Sequence, residues 1–565
     1  MKHPSLHPRA IHPARSFPAI VAIAIGLAFT PSGAGAATLY WDGTDSTADA
    51  DGGSGTWNTT LVNWDSAATA GSAATWSNST PDSAVFGGTA GTVTLGGAIT
   101  ANSVTLGVDG YTITGQTLTV AGGGITANGD TAIASNMALG GTPQTWTVAD
   151  GKTLTLASDT RMSINGSRTL NFGSAGGTIT FQGAGAFSVG DQSAGTFRHS
   201  NGTINVTTTS EGFGLGLNIG YRIGGNGTYN LSGGTLNSLG SFVTLGAGGG
   251  NTGTWNVTGG TANVRGIGLT TSASATGTFT LTGGRVNIGA YGIANAGGGG
   301  TRNKNLGGGT IGALANWSSS ENMTLTGTNG NVTFNTLDAS DGTTARTIAL
   351  SGALSGTGGL IKDGDGTLTL SGTNTYTGPT TVAAGVLALS GSGSISGSAT
   401  IDVASGATLD VSGMSGSPWT LGASQTLEGN GTVYGGLTAA GHIAPGNSIG
   451  TLNVTGDLTI NGTLDVEYDG DGSLIDLLAV TGNLDISGAT VDFSPLNSAL
   501  TGSPHIFASY GSLTGSQFNV VTDLPAGYTI DYNYAGNNIA LIPEPTAALL
   551  AGLGALGLLR RRRHS

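Results

Sequence analysis

Short runs in which apolar residues alternate with hydroxyl or amide residues dominate this chain, and glycine-rich turns separate them. Between residues 195 and 288 these runs repeat, because a Gly-Thr-aromatic phrase leads each time to an apolar-Asn pair. The aromatic recurs at Phe197, Tyr229, Trp255 and Phe279, in steps of 32, 26 and 24 residues. Alternation predicts strands, and such a period is typical of one solenoid coil. We expect aromatic residues and asparagines to stack on successive coils as a core row and a hydrogen-bonded ladder.

Composition supports one long β structure. The 565 residues include 104 Gly and no Cys, and only 9% are charged while 38% are hydrophobic. Low charge with this apolar content suits many short strands that share a core, and it argues against a disordered acidic chain. The lack of Cys excludes disulfides, thiolate metal sites and a Cys nucleophile. The predicted fold class is all-β, a parallel β-helix. Hairpin sandwiches would give a similar strand spacing, but the uniform Gly-rich loops include no long crossover.

One segment, residues 354–389, carries a longer motif. It contains Gly366-Thr-Leu-Thr-Leu-Ser-Gly372, then Asn374-Thr-Tyr-Thr-Gly378 and Ala384-Gly-Val-Leu387. In this order and spacing it closely resembles one copy of the autotransporter-associated β-strand repeat of the PATR type. The resemblance implies a right-handed parallel β-helix in a protein exported to a bacterial surface. A weaker resemblance to the ends of passenger segments extends to about Ser494.

The N-terminus predicts a secretion signal. A basic start precedes an apolar stretch from Ala19 to Phe29, and Ala34 and Ala36 form a small-x-small cleavage site. We expect the mature chain to begin near Ala37, after passage through the Sec export machinery that such signals imply. An uncleaved anchor is the alternative, but the apolar run is short for a membrane span.

The C-terminus carries a second targeting pattern. Pro543, Glu544 and Pro545 precede an apolar run at 546–559, and four arginines follow it. These are Arg560, Arg561, Arg562 and Arg563. The order resembles the PEP-CTERM sorting signal, which implies transient insertion in the inner membrane and removal by an exosortase. As a helix the run would reach only ~21 Å, short of a ~30 Å hydrocarbon core. The alternative is a basic amphipathic end, although no polar face interrupts the run.

The predicted segments follow from these signals. In chain order they are a signal peptide at 1–36, a Trp-rich N-terminal cap at 37–91, a β-solenoid with 24–32-residue repeats at 92–353, the PATR-type repeat at 354–389, a solenoid continuation at 390–494, a small β-hairpin C-terminal cap at 495–542, and the sorting signal at 543–565 with a short transmembrane run at 546–559 and an arginine tail at 560–563. Residues 296–309, rich in Gly and Asn and including Arg302 and Lys304, are predicted to form a surface excursion.

Half of the eight Trp residues lie in the predicted N-terminal cap, at Trp41, Trp57, Trp64 and Trp76. A β-helix needs its first open coil covered, and bulky aromatic side chains are efficient cover. The alternative is a glycan contact, because an exposed indole can stack on a sugar ring. The cap interpretation is favoured, since aromatic residues in such strands are more often core than binding site.

No catalytic or metal motif stands out. His199, His442 and His505 are far apart in sequence and lack metal-ligand spacing. Carboxylates that could act as acid and base fall in turn sequences, which favours a role at corners. These are Asp363 with Asp365, Glu467 with Asp469 and Asp471, and Asp49 with Asp51. Weak Ca²⁺ binding at Asp49, Asp51, Asp469 and Asp471 stays open, but no calcium motif is complete. We predict no enzyme activity, no cofactor and no metal.

The predicted function is therefore structural or adhesive, at the cell surface or in the extracellular matrix. Without both terminal signals the chain carries 11 basic and 30 acidic residues, a net charge of −19, so nucleic acid is not an expected partner. Expected partners are the exosortase and Sec machinery during export, and extracellular polysaccharide or other surface proteins afterwards. The alternatives are a carbohydrate-active β-helix enzyme and a carbohydrate-binding surface protein.

Overall fold

Every regular element of the protein is a β-strand in the residues that its structure, a computed structural model, describes. These are residues 36–43, 47–157, 162–183, 187–209, 212–214, 216–416 and 418–544. Strands pair in parallel with those of the coils before and after them, and this pairing builds three faces along the molecule. The chain visits the first, second and third face in turn in each coil. The predicted all-β parallel β-helix is confirmed.

The first face begins with the N-terminal strand. Its strands are Thr38–Trp41, Ser83–Phe86, the second parts of Ile99–Leu106 and Leu118–Ala127, Gln144–Val148, the first parts of Arg168–Phe181 and Ala194–Val206, Asn226–Leu231, Thr252–Val257, Thr276–Leu281, Thr301–Leu306, Met323–Leu325, Leu354–Gly356, Trp419–Leu421, Leu437–Ala439, Leu458–Ile460, Asn483–Asp485 and Ser512–Thr514.

The second face runs the whole length of the helix. Its strands are Gly55–Trp57, Thr92–Leu95, Thr112–Gly115, Thr131–Ile133, Thr153–Leu156, the second parts of Arg168–Phe181 and Ala194–Val206, Thr235–Ser238, Thr261–Val264, Arg285–Ile288, Thr310–Ala313, Val332–Asp338, Leu360–Asp363, Thr380–Val382, Thr400–Val403, Thr426–Gly429, His442–Pro445, Thr463–Asp469, Thr490–Pro495 and Val520–Thr522.

The third face completes each coil. Its strands are the first parts of Ile99–Leu106 and Leu118–Ala127, then Met137–Leu139, Met162–Ile164, Phe187–Asp191, Leu217–Tyr221, Val243–Ala247, Ile267–Leu269, Ile293–Asn295, Trp317–Ser319, Thr347–Leu350, Thr367–Leu370, Val386–Gly391, Thr408–Met414, Thr432–Tyr434, Thr451–Thr455, Leu477–Val480 and His505–Ser509. Five further strands pair antiparallel: Val62–Asp65, Ala73–Thr75, Leu474–Ile475, Tyr528–Asp531 and Asn538–Pro543.

Alternation along each strand sorts side chains between the core and the surface. In Thr367–Leu370, for example, both Leu side chains are buried and both Thr side chains are partly exposed. The apolar residues of all three faces form one continuous core along the helix axis. One coil therefore buries its apolar side chains only because neighbouring coils cover them.

The repeat between residues 195 and 288 stacks as expected. On the first face Phe197 lies opposite Tyr229, Tyr229 opposite Trp255, and Trp255 opposite Phe279. Neighbouring ring centroids are 5.0 to 6.4 Å apart, which is the range of favourable aromatic contacts. The predicted aromatic row is confirmed.

The predicted surface excursion at 296–309 is wrong, because Thr301–Leu306 is a regular strand of the first face. Lys304 lies opposite Phe279 and takes the next place in the buried row, where its side chain is only 3% exposed. Its Nζ lies 2.7 Å from Glu321 Oε2 on a later segment. A charged residue is tolerated inside because this partner compensates the charge.

The N-terminal coil is closed by a local antiparallel arrangement. Val62–Asp65 hydrogen-bonds to one edge of Thr38–Trp41, and Ser83–Phe86 pairs in parallel with its other edge. The edge of the first strand is thereby protected from pairing with other chains. Parallel pairing already begins within the segment predicted as the cap.

The C-terminal end closes in a similar way. Tyr528–Asp531 and Asn538–Pro543 form the predicted hairpin, and its second strand also pairs antiparallel with His505–Ser509. Parallel coils continue past the predicted boundary at residue 494, because Val520–Thr522 still pairs with Thr490–Pro495. Among the described residues, no helix has the length and apolarity needed to span a membrane.

Candidate binding surface

The residues of the two predicted terminal signals lie at or beyond the edges of the described chain. Ala34 lies outside the described residues, and Ala36 is exposed just before the first strand. At the other end Pro543 completes the closing hairpin, and the Glu544 amide donates a hydrogen bond to Gly527 O (2.8 Å). Pro545, the apolar run at 546–559 and the four arginines from Arg560 to Arg563 also lie outside the described residues. The predicted sorting motif thus begins where the hairpin ends.

The four indoles of the N-terminal segment lie inside the helix. Trp41, Trp57, Trp64 and Trp76 are at most 2% exposed, and neighbouring indole centroids are 4.8 to 5.1 Å apart. Phe86 packs against three of them. Because these indoles are buried, none of them presents an open face to a sugar ring. Their burial contradicts the glycan contact predicted for them as the alternative to a cap.

The carboxylates considered for acid–base chemistry lie at turns or at the ends of strands, except Glu467, which lies within the strand Thr463–Asp469. Asp363 accepts a hydrogen bond from Asn335 Nδ2 (2.8 Å) and precedes Gly364, whose φ of +77° needs the freedom of glycine. Asp469 accepts from the Asp471 amide (2.9 Å), which is the geometry of a tight turn. Asp49 accepts from the Ala70 amide. Across the described residues, no three His, Cys, Asp or Glu side chains come together in a metal-like group.

The three histidines of the predicted mature chain occupy unrelated positions. His199 is buried in the core, with Nδ1 2.9 Å from the Tyr229 hydroxyl, and burial lowers its pKa to about 4. His442 lies on the surface, 2.8 Å from Asp465. His505 is buried in the C-terminal closure against Tyr528. The structure therefore brings no two of these imidazoles together.

Lys362 and Asp476 are two of the buried ionisable groups that sequence reasoning missed. Lys362, inside the PATR-type motif, is fully buried, and its Nζ donates to Gly364 O (2.6 Å) and Ala384 O (2.8 Å) of the next coil. Burial lowers its pKa to about 8. Asp476 accepts from the amides of Gly450 and Glu467, and burial raises its pKa to about 7. Both groups bind backbone atoms, so they serve the fold.

The second face presents two regular polar rows. Outward-facing residues stack in register from coil to coil at ~4.8 Å, the spacing between hydrogen-bonded strands. One row is Thr178, Thr203, Thr235, Thr261, Arg285 and Thr310. The other is Thr180, Asn205, Asn237, Asn263 and Asn287. The rows form a flat polar strip, which we call the Asn–Thr strip.

The predicted asparagine ladder forms the centre of this strip. Each Nδ2 donates to Oδ1 of the previous asparagine, from Asn237 to Asn205 (2.9 Å), from Asn263 to Asn237 (2.9 Å) and from Asn287 to Asn263 (2.8 Å). Arg285 Nε then donates to Asn287 Oδ1 (2.6 Å), which extends the ladder by one charged donor. All donors point the same way, so the hydrogen bonds polarise one another.

An aromatic corner adjoins this ladder, between the second and third faces. The Arg265 guanidinium lies 4.5 Å from the Tyr291 ring centroid and 5.5 Å from that of Phe242. Its Nη2 donates to the Tyr291 hydroxyl (2.7 Å), and Nη1 donates to Gly240 O (3.1 Å). Tyr291 is 49% exposed. The arginine lies over one face of a ring that remains about half exposed.

Comparison with known proteins identifies the motif segment. The Passenger-associated-transport-repeat (PATR) family matches residues 360–389. Those residues form the strands Leu360–Asp363, Thr367–Leu370 and Thr380–Val382, and most of Val386–Gly391. Lys362 and its corner are therefore part of the matched repeat.

Two adhesins are similar to larger parts of the chain. Over 154 residues the chain is 38% identical to the Adhesin BmaC autotransporter of Brucella suis biovar 1 (strain 1330), a match that covers 26% of this chain and 4% of that adhesin. The crystal structure of the Haemophilus influenzae Hap adhesin aligns with 82% of this chain and 63% of its own, at 13% identity and a TM-score of 0.33. The fold assignment rests on the strand pairing of this chain. The chain is thus a parallel β-helix that carries a passenger-associated-transport-repeat and is similar in part to an autotransporter adhesin.

Proposed function

We propose that this chain is an exported structural or adhesive protein of a bacterial surface or extracellular matrix, and that an exosortase removes its C-terminal tail. Three observations support the surface role. The chain forms an elongated helix of parallel coils, it contains a PATR repeat, and it resembles part of an adhesin. Coils that present regular outer faces suit binding by extended surface rather than by a pocket.

One observation carries the processing step of the proposal. The closing hairpin uses the chain through Pro543, and the Glu544 amide makes its last backbone contact. Removal of everything after Glu544 would leave all strand pairs of the hairpin in place. A tail that is cut off after export needs such an independent end to the fold, because cutting within a paired strand would unravel the closure.

The test is intact mass and peptide mapping of the protein from culture medium and from each membrane fraction of expressing cells. We expect an exported form that starts near Ala37 and ends near Pro543. The variant Pro545→Ala should keep its tail and stay with the inner membrane. Pro495→Ala changes an exposed proline outside the motif and should be processed normally. A wild-type protein that keeps its C-terminal tail and stays in the inner membrane would contradict the proposal.

We do not propose the enzyme alternative. The three groups of carboxylates that would have to act as acid and base lie far apart along the helix, and Asp363, Asp469 and Asp49 each accept a hydrogen bond from the protein itself. The structure fits the carbohydrate-binding alternative better, because the Asn–Thr strip and its aromatic corner offer polar and aromatic groups on one surface.

A further inference from the structure

We propose that a groove on the second face, next to the N-terminal end of the Asn–Thr strip, binds one ring of a neutral, hydroxyl-rich polysaccharide. The inference rests on the proposed surface or matrix function, from which it takes its biological setting. It names a site and a class of ligand for the carbohydrate-binding alternative.

The shape of the groove comes from two small residues. The outward-facing residues of successive coils in this part of the face are Thr92, Thr112, Ala132, Thr155 and Thr180. Ala132 thus stands in a row that otherwise consists of threonines. Gly110, whose φ of +97° suits glycine, lies at the corner just before the strand Thr112–Gly115. Because these two positions carry little or no side chain, a groove of about 260 Å³ crosses three coils.

Hydroxyl groups dominate the polar lining of the groove. Thr112 comes from its first coil, and Thr153 and Thr155 come from its third; all three are partly exposed. Within the described part of the chain, their side-chain hydroxyls have no hydrogen-bonding partner. Each hydroxyl can donate one hydrogen bond and accept others, so the groove offers both roles to a ligand. Ala132 adds an apolar surface between them, which suits the C–H side of a sugar ring.

The charges at the edge of the groove argue for a neutral ligand. Asp130 Oδ1 accepts a hydrogen bond from the Thr153 amide (2.8 Å), and the side chain of Asp130 remains 57% exposed. Lys152 Nζ donates to both carboxylate oxygens of Asp109, at 2.8 and 2.9 Å, and lies 3.5 Å from Asp130 Oδ2. The hydrogen bond from Lys152 holds the pKa of Asp109 below its ordinary value. One lysine and two aspartates leave a net negative charge, which disfavours an anionic ligand, whereas Asp130 can still accept from a ligand hydroxyl.

The size and position of the groove indicate one ring of a longer polymer. The groove is smaller than the ~300–1,000 Å³ of pockets that bury a drug-sized ligand, so it suits a single sugar ring rather than an oligosaccharide. It also leads into the Asn–Thr strip, because Thr153 lies opposite Thr178 and Thr155 lies opposite Thr180. A polysaccharide with one ring in the groove can therefore extend along the strip, whose amides and hydroxyls donate and accept hydrogen bonds.

The test measures binding of the purified full-length chain to dextran, galactan and mannan by calorimetry, with polygalacturonate as an anionic comparison polymer. We expect saturable binding of at least one of the three neutral glycans. Its affinity should change little as salt is raised, because salt screens only charged contacts. Polygalacturonate should bind at least about tenfold more weakly than that neutral glycan.

Two substitutions in the groove test its role. Ala132→Phe fills the groove from an outward-facing position, where strands accept aromatic residues, and should weaken binding of the neutral glycan at least about tenfold. Asp130→Asn keeps an acceptor for the Thr153 amide but removes the charge, and it should weaken binding about three- to tenfold. If Ala132→Phe does not fold, unchanged binding by Asp130→Asn overturns the proposal by itself.

Ala444→Phe is the matched control. Ala444 is also a partly exposed alanine of the second face, in the strand His442–Pro445 far from the groove, and we expect less than about a twofold change. Circular dichroism and thermal unfolding check that each variant keeps the fold. Equal losses in Ala132→Phe and Ala444→Phe would overturn the proposal, as would equal binding of polygalacturonate or no binding of any neutral glycan. Any of these results would leave export and tail removal untouched, since mass analysis of cell fractions tests those separately.

Discussion

Replacement of Glu321 by glutamine should destabilise the helix locally, because it leaves Lys304 charged in the core. The two side chains are 8% and 3% exposed, and Arg302 contributes a second contact to the same carboxylate oxygen. Removal of one partner from a buried ion pair typically costs about 3–5 kcal/mol. The amine can deprotonate instead, and release of a proton from a reference pKa of ~10.4 at pH 7 costs about 4–5 kcal/mol. We therefore expect a loss of about 3–4 kcal/mol.

The double variant Lys304→Met, Glu321→Gln separates this charge effect from packing. Methionine returns an apolar side chain to the buried row next to Phe279, so the double variant should lose only about 1 kcal/mol. A parallel helix can open locally, so stability is best measured by hydrogen exchange of amides in Thr276–Leu281 and Met323–Leu325. Equal protection in the single variant and the wild type, or equal losses in the single and double variants, would refute the reasoning.

The pH dependence gives a second check on the same pair. Burial alone would raise the pKa of Glu321, but the hydrogen bonds from Lys304 and Arg302 outweigh it and hold this pKa below its ordinary value of 4.5. The stabilisation is therefore fully present above pH 4.5 and is lost as the pH falls through the lower folded-state pKa. In Glu321→Gln that contribution to acid sensitivity should be absent.

Three further predictions concern other buried positions. Burial lowers the pKa of His199 to about 4, so NMR titration should find this imidazole neutral at pH 5.5. As the pH falls from 6.5 to 4, the unfolded chain binds a proton that the folded chain does not, and the free energy of unfolding should decrease. His199→Phe should remove this pH dependence. Lys362→Met leaves the carbonyls of Gly364 and Ala384 without this donor, and it should lower the free energy of unfolding in denaturant by about 1–3 kcal/mol. The control Lys152→Met, at the surface, should lower it by less than about 1 kcal/mol. Asn263→Ala removes two hydrogen bonds of the ladder. It should reduce the protection of neighbouring backbone amides against hydrogen exchange by roughly 1–2 kcal/mol. Unchanged exchange of these amides would contradict a cooperative ladder.

Much of the fold could be predicted from local pattern. Alternation places every second side chain on one face of a strand, so the apolar side of each strand follows from the sequence alone. The period of the aromatic phrase predicted that Phe197, Tyr229, Trp255 and Phe279 stack, and the period of the apolar-Asn pair predicted the ladder. The signals predicted at both ends depend on equally local patterns, the order of basic, apolar and small residues, and they stay predictions.

The candidate binding surface was only partly visible in the sequence. An alignment of the repeats shows arginine at 285 where the other copies have threonine, but it cannot show that Gly312 leaves room for the guanidinium on the sheet. The link between Arg265 and Tyr291 joins turns of two different coils. Such contacts depend on the register between coils, which no short window of sequence contains.

Sequence by itself determined the strand pattern, the coil period, the all-β class and the lack of thiol chemistry, because each depends on residue type and local spacing. Tertiary structure decided burial wherever a polar or aromatic residue could lie inside or outside. Lys304 was expected at the surface and lies in the core because Glu321 arrives from a later segment to compensate its charge. The four N-terminal indoles could have been exposed, and they are buried because the strands around them close over one another. Burial is a property of neighbours that the fold brings together, so it is settled only when the coils stack.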